Sequence, residues 1–180
     1  MKPMRESRER DPEVRSGEPE APGPGAGEPS WDPMTAGDVA EVAALERLCF
    51  EDPWSPASFA AEVKPSHFGW PRILRVGGRL AGYLIAWFVE DEAHLANIAV
   101  APWARGRGYA QRMLDHLRRE AYLRGCRIIA LEVRSSNRVA VRLYEKNGFL
   151  SCGTRRDYYS RPREDALMMV LPLGLQENEE

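Results

Sequence analysis

Residues 97–110 read Asn-Ile-Ala-Val-Ala-Pro-Trp-Ala-Arg-Gly-Arg-Gly-Tyr-Ala, and their order decides how the chain folds. An apolar strand runs out through Ile98, Ala99 and Val100 into a short loop, and Gly106 and Gly108 bring that loop to the start of a helix at Tyr109 and Ala110. The first turn of a helix leaves four backbone N–H groups without intrahelical partners, so this junction offers donors to an anion. Glycine lets the backbone approach a bulky phosphate with no Cβ in the way. Arg105 and Arg107 add positive charge at the mouth. The segment predicts a phosphate- or pyrophosphate-binding turn in an α/β fold. It is not a P-loop, because no Gly-x-x-x-x-Gly-Lys-Ser/Thr run occurs in the chain. Nor is it the dinucleotide fingerprint, because Gln111 stands where the third glycine would be.

Downstream, Ala110, Met113, Leu114, Leu117 and Ala121 recur at helical spacing among Arg112, Asp115, Arg118 and Glu120, and Gly125 ends the helix. Residues 128–133 then form a nearly continuous apolar run, the pattern of a strand covered on both faces. Strand, helix, strand in that order predicts a βαβ crossover with parallel pairing. Upstream, residues 72–77 and 80–90 read as antiparallel strands around the hairpin signal Gly77-Gly78, with a third strand over 94–100. Two helices precede them. One follows the capping pair Thr35 and Asp38, with Val42, Leu45 and Cys49 on its apolar face; the other is capped by Ser55 with Pro56 at its first position. Asn137 caps a further helix that Asn147-Gly148 closes, and residues 149–156 and 165–173 read as two final strands joined by a long polar loop. The fold class is α/β: a mixed central sheet flanked by helices, antiparallel at its start and parallel in the middle.

Composition limits what this domain does. Residues 1–29 are charged, then rich in Pro and Gly, with too little apolar surface to offset the entropy of ordering them, so they read as a disordered tail. Residues 30–174 remain as one domain, followed by a polar tail over 175–180. A formal net charge of -2 gives no support to a general nucleic-acid binder. No apolar run reaches the roughly 18 residues of a membrane helix, and no signal-peptide core is present. A soluble cytoplasmic protein is expected. Cys49, Cys126 and Cys152 have no Cys-x-x-Cys spacing, and His67, His94 and His116 are scattered, so no metal site is expected. The apolar neighbours of the three cysteines predict buried free thiols.

Glu132 breaks the apolar run, on the same strand face as Ile128 and Ala130. Carboxylates are rarely buried without a partner. Glu132 therefore reads either as an end-of-strand residue paired with an arginine such as Arg134, or as a base held at the carboxyl end of a strand, where open α/β sheets place their ligands. Tyr144, about two turns into the next helix, is either ordinary packing or a phenolic acid facing Glu132 across one cleft.

The run Arg105-Gly106-Arg107-Gly108-Tyr109-Ala110 resembles the acyl-CoA pyrophosphate loop Gln/Arg-x-x-Gly-x-Gly/Ala of the GNAT N-acetyltransferase family, and Asn137 through Phe149 resembles that family's second acyl-CoA segment. The resemblance covers residues 31–173. Further strings, Leu131 through Asn137, Gly148-Phe149, Arg155-Arg156-Asp157-Tyr158-Tyr159 and Asp52-Pro53-Trp54-Ser55, resemble the branch that acetylates the N-terminal alanine of bacterial ribosomal protein S18. The resemblance implies the GNAT fold, acetyl-CoA as cosubstrate and a protein N-terminus as acceptor. It implies Glu132 as base toward the amine and Tyr144 as acid toward the leaving thiolate. It also implies acyl-CoA contacts from residues 98–100 and 105–110, Asn137 and Tyr144. Trp54, Tyr158, Tyr159, Glu164 and Asp165 are the expected walls of the peptide cleft, the two carboxylates suiting a basic peptide. Acceptors other than an N-terminus, namely lysine side chains, polyamines or small amines, fit the same scaffold, as does an acyl-CoA sensor without turnover.

Overall fold

The computed structural model describes residues 27–174. Most of the segment read as an N-terminal tail, and all of 175–180, lie outside the described residues. β1 (Ser30–Pro33) leads into α1 (Val39–Cys49) and α2 (Pro56–Glu62), and β2 (Gly69–Val76), β3 (Arg79–Val89) and β4 (Glu92–Val100) follow. Then come α3 (Tyr109–Leu123), β5 (Ile128–Arg134), α4 (Arg138–Lys146), β6 (Leu150–Ser160) and β7 (Arg163–Pro172). The strands form one sheet in the order β1-β2-β3-β4-β5-β7-β6. β2, β3 and β4 pair antiparallel, and β4 pairs parallel with β5 across α3, as the sequence predicts. Among the described residues no helix is long and apolar enough to cross a membrane.

Local chemistry sets the helix starts. Thr35 and Asp38 form a capping box ahead of α1, and the Ser55 hydroxyl accepts the Ser58 N–H at 3.1 Å with Pro56 at the first position of α2. α3 buries Met113, Leu114, Leu117 and Ala121 against the sheet, the face its spacing predicts. Between α1, α2 and β3 the core closes on Val42, Phe59 and Tyr83, all fully buried. At Gly82 of β3 a Cβ would stand 2.6 Å from the Ala99 carbonyl oxygen, so only glycine lets β4 lie this close.

The structure departs from the sequence reading in four places. β1 was not expected: it is a four-residue edge strand ending in proline, held from outside by Trp31, whose ring stacks on His116 of α3 at 4.9 Å. The long polar loop expected after residue 156 is absent, because β6 continues to Ser160 and turns at Arg161-Pro162 directly into β7. β6 is exposed along nearly its whole length, so no inward-outward alternation marks it in the sequence. β5 is not covered on both faces: Ile129, Leu131 and Val133 are buried, whereas Ile128, Ala130, Glu132 and Arg134 are half-buried. Of the three cysteines only Cys126 is buried; Cys49 is half-buried and Cys152 is exposed on β6.

Candidate active site

The central feature is a gap in the sheet. β4 and β5 pair from Glu92↔Ile128 to Leu95↔Leu131, and there the ladder stops. A register irregularity falls at the same point on the other side of β4, opposite Ile85 and Ala86. Beyond it Asn97–Val100 stay on β3 but leave β5, which remains paired through Arg134 with β7 on its other edge. Ala101 donates its N–H to Ala81, so the alternation of an antiparallel ladder turns the N–H of Val100 away from β3 and toward the gap. Ile98 and Val100 have half-buried side chains, whereas Ala99 is buried.

The loop after β4 closes one end of the gap. Pro102, Trp103 and Ala104 make a 3-10 turn, after which Gly106 (φ +73°) and Gly108 (φ +76°) are both left-handed. Gly108 is the N-cap of α3 and supplies no side-chain acceptor, so no cap side chain takes up the first N–H groups of the helix. A Cβ at either glycine would meet nothing within 4 Å, so the backbone of the loop lies open at both positions. Such a cradle fits a pyrophosphate. Tyr109 is buried beneath it, Ala110 is half-buried, and Arg107 is exposed. Arg105 folds back: its Nε donates to the Val100 carbonyl at 3.2 Å, and its Nη2 lies 3.6 Å from Cys49 Sγ.

Glu132 stands on β5 just past the end of the β4–β5 ladder. Its expected partner, Arg134, is engaged elsewhere, with Glu164 at 3.4 Å and with the carbonyls of Arg161 and Pro162. Instead Arg155 of β6 donates to Glu132 Oε1 at 2.9 Å, and His94 Nε2 of β4 lies 3.1 Å from Oε2. Tyr144 is buried on α4 with its ring against Phe149 at 5.5 Å. Burial, and secondarily the neighbouring Tyr159, push its phenol well above the ordinary value of 10. Tyr159 connects the two: its hydroxyl reaches the Glu132 main-chain carbonyl at 3.5 Å, and burial pushes that phenol up to about 12.

The expected wall residues divide by contact. The Arg134 guanidinium lies 4.0 Å over the Tyr159 ring, and half-exposed Tyr158 packs edge-on against Tyr159 at 5.0 Å. Glu164 accepts the Ser136 N–H at 2.6 Å; this bond, with Arg134, holds its carboxyl below the ordinary range. Asp165 accepts the Asp157 N–H at 2.9 Å, and its carbonyl takes the Ser135 hydroxyl. The Glu164 carboxylate thus binds β5 and the β5–α4 loop, and that of Asp165 binds β6. Asn137 caps α4 by accepting the Ala140 N–H at 3.1 Å.

Trp54 leads to a residue absent from the sequence reading. Its N–H donates to Glu46 Oε1 at 2.9 Å, and Glu46 is 1% exposed. Asn97 Nδ2 donates to the same oxygen at 3.2 Å, and the Tyr83 hydroxyl donates to Oε2. Burial and then the Glu46 charge drive the Tyr83 phenol far above its ordinary value. A signal was available: Glu46 follows Val42 by one helical turn, on the face α1 buries. His94 and Arg155 carried no such signal, because their partner lies on another strand.

The sequence profile of the acetyltransferase (GNAT) family matches residues 39–149, a span containing the glycine cradle, Glu132 and Tyr144. The [ribosomal protein bS18]-alanine N-acetyltransferase of Escherichia coli K12 is 38% identical over 133 residues, covering 73% of this chain and 88% of the relative. The N-alpha-acetyltransferase RimI of Mycobacterium tuberculosis is 35% identical over 142 residues, covering 76% of this chain and 87% of that protein. The crystal structure of the E. coli ribosomal-protein-S18-alanine N-acetyltransferase matches with a TM-score of 0.77 at 33% identity, covering 85% of this chain and 99% of that one. With profile, relatives and fold in agreement, the chain belongs to the GNAT acetyltransferase family.

Proposed function

We propose that this enzyme transfers acetyl from acetyl-CoA to the α-amine of an N-terminal alanine, with ribosomal protein S18 as its substrate. The observation that carries the chemistry is Glu132 at the end of the β4–β5 ladder, where the sheet opens and a carboxylate meets unpaired strand backbone. Identity of 38% to an S18-alanine acetyltransferase supports the choice of acceptor.

Acetyl-CoA supplies an activated acyl group as a thioester. The N–H groups at residues 106–110 and the charges of Arg105 and Arg107 would hold its pyrophosphate, and Asn137, the N-cap of α4, would be a further acyl-CoA contact. An α-amine with an ordinary pKa near 8 must lose a proton before it attacks. Glu132 takes that proton. The Val100 N–H donates to the carbonyl oxygen as charge develops there, a contribution of a few kcal/mol. Tyr144, held protonated by burial, gives its proton to the departing sulfur. Trp54, Tyr158 and Tyr159 line the approach of the peptide, and a small first residue lets the amine reach Glu132 and the thioester together.

Incubating the protein with acetyl-CoA and a panel of short peptides, and locating the acetyl group by mass spectrometry, tests the assignment. Acetyl on the α-amine of peptides starting with alanine is expected. Acetyl on lysine ε-amines, or turnover confined to free polyamines and small amines, would replace it with the corresponding acceptor, and binding without turnover would make the protein a sensor.

A further inference from the structure

We propose that His94 and Glu132 work as one proton-accepting pair, with His94 carrying the amine proton from Glu132 to solvent. This rests on the reading of Glu132 as the base. His94 acts through Glu132 and does not itself touch the substrate.

The geometry supplies each requirement of a relay. Glu132 Oε1 is taken by Arg155 at 2.9 Å, and Oε2 lies 3.1 Å from His94 Nε2. A proton arriving on Oε2 is therefore one hydrogen bond from an imidazole nitrogen. The Glu132 side chain is 13% exposed and that of His94 is 32% exposed, so the outward end of the pair is the histidine. The ring is also fixed in place. It stacks on Trp87 at 5.6 Å with 12° between planes, and Trp87 Nε1 is pinned to Glu62 of α2 at 2.9 Å. The strand register sets Trp87 beside His94 and His94 beside Ala130, two residues before Glu132 on the same face of β5.

The chemistry gives the pair a purpose. An ordinary carboxylic acid titrates near 4.3 and an α-amine near 8, so a carboxylate alone is a weak acceptor for an ammonium proton; an imidazole near 6.5 is better matched. With Nδ1 carrying the imidazole proton, the sequence balances. One ammonium N–H bond breaks as an O–H bond forms on Oε2, that proton moves to Nε2, and the imidazolium releases its Nδ1 proton to water; exchange with water then moves the remaining proton from Nε2 back to Nδ1 before the next turnover. The amine lone pair attacks the thioester carbon, the C–S bond breaks, and the sulfur takes a proton from Tyr144. The nitrogen's second proton, lost as the amide forms, restores the Tyr144 hydroxyl through solvent. In sum the nitrogen loses two protons, the sulfur gains one, and one leaves through His94.

The groups facing His94 are Glu132 from β5 and Trp87 from β3, with Arg155 of β6 across the carboxylate. Glu62 of α2 stands behind Trp87, and Glu92 lies two residues away on β4. A relay already carrying a proton cannot take up another, so turnover falls on the acid side.

His94→Gln and Glu132→Gln, compared with the wild-type enzyme, test the pair. The readouts are kcat between pH 5 and 9 with both substrates saturating, KM for the peptide, and coenzyme A affinity by calorimetry. His94→Gln should lower kcat at pH 7 by about tenfold and move the acid limb down by about one pH unit or more. Peptide KM and coenzyme A affinity should not change, and added imidazole should raise the rate in proportion to its concentration. A His94→Gln enzyme with the wild-type acid limb, or without imidazole rescue, overturns the relay even if Glu132→Gln is inactive. Wild-type turnover in Glu132→Gln would instead overturn the base reading on which the relay rests.

Discussion

Arg105 Nε donates to the main-chain carbonyl of Val100 at 3.2 Å, so the arginine that opens the glycine cradle also ties down the last residue of β4. The Val100 N–H and the first donors of α3 are thereby held relative to one another. Deleting the side chain and blocking the cradle should then differ in kind. Arg105→Ala removes one cation and one brace, and should weaken coenzyme A binding by about 1–2 kcal/mol. At Gly108 the backbone is left-handed at φ +76°, which a β-branched residue resists, so valine would force the turn that presents the N–H groups out of shape. Gly108→Val should abolish binding. Calorimetric titration with coenzyme A checks both, and tight binding by the valine variant would show that these donors do not hold the pyrophosphate.

Tyr144→Phe should leave the fold intact, since it deletes one hydroxyl and keeps the ring against Phe149. Its effect on turnover should not depend on pH. Burial raises the phenol above the ordinary value of 10, and a group with a raised pKa stays protonated until the pH passes that raised value. The wild-type enzyme should therefore show no alkaline loss from Tyr144 below about pH 10, and the variant should be slower by a constant factor of roughly 10²–10⁴ from pH 6 to 9. A wild-type rate would make Tyr144 a packing residue.

Glu164→Gln and Asp165→Asn separate reading the peptide from shaping its cleft. The sequence reading gives these carboxylates to a basic substrate, yet Glu164 binds Arg134 and the Ser136 N–H, and Asp165 binds the Asp157 N–H. With their oxygens committed to the hairpin and the β5–α4 loop, the variants should raise KM for basic and neutral peptides by the same factor. A rise confined to the basic peptide would return both residues to direct recognition.

The legibility of this site follows how far apart in sequence its parts lie. The cradle was readable because strand, glycines and helix start are contiguous, and Glu132 stood out against an apolar run on its own strand. Glu132's partners were not readable: His94 and Arg155 reach it from strands 38 residues upstream and 23 downstream, distances that no periodicity encodes. β1, and the last four residues of β6, were missed for a different reason. Each is an edge strand whose pairing is set by its neighbour, and neither carries the alternation that marks a half-buried strand. Glu46 sits between these cases, since its helical position was visible but its acceptors' partners were not.

Glu46 should prove to be the most stability-critical polar residue of the cleft. Its carboxylate is 1% exposed and accepts from the Trp54 N–H, from Asn97 Nδ2 and from the Tyr83 hydroxyl. Glutamine keeps the shape but turns one acceptor oxygen into an NH₂ donor, so at least one buried donor is left without an acceptor. Leaving such a group unsatisfied costs about 1–3 kcal/mol, and more where a charged acceptor is lost. Glu46→Gln should therefore lower stability in urea by about 2–4 kcal/mol. Adding Tyr83→Phe should not recover that loss, because it deletes the hydroxyl oxygen to which the glutamine NH₂ would donate. The functional consequence should be one-sided. Freed from Glu46, the Trp54 backbone no longer fixes the segment before α2, whereas the glycine cradle lies on the β4–α3 loop and makes none of these bonds. Peptide KM should rise while coenzyme A affinity stays within about twofold. Urea unfolding of the single and double variants, with peptide kinetics and coenzyme A titration of each, measures all three effects. A single variant within about 0.5 kcal/mol of wild type would show that the carboxylate is not the hub these bonds make it.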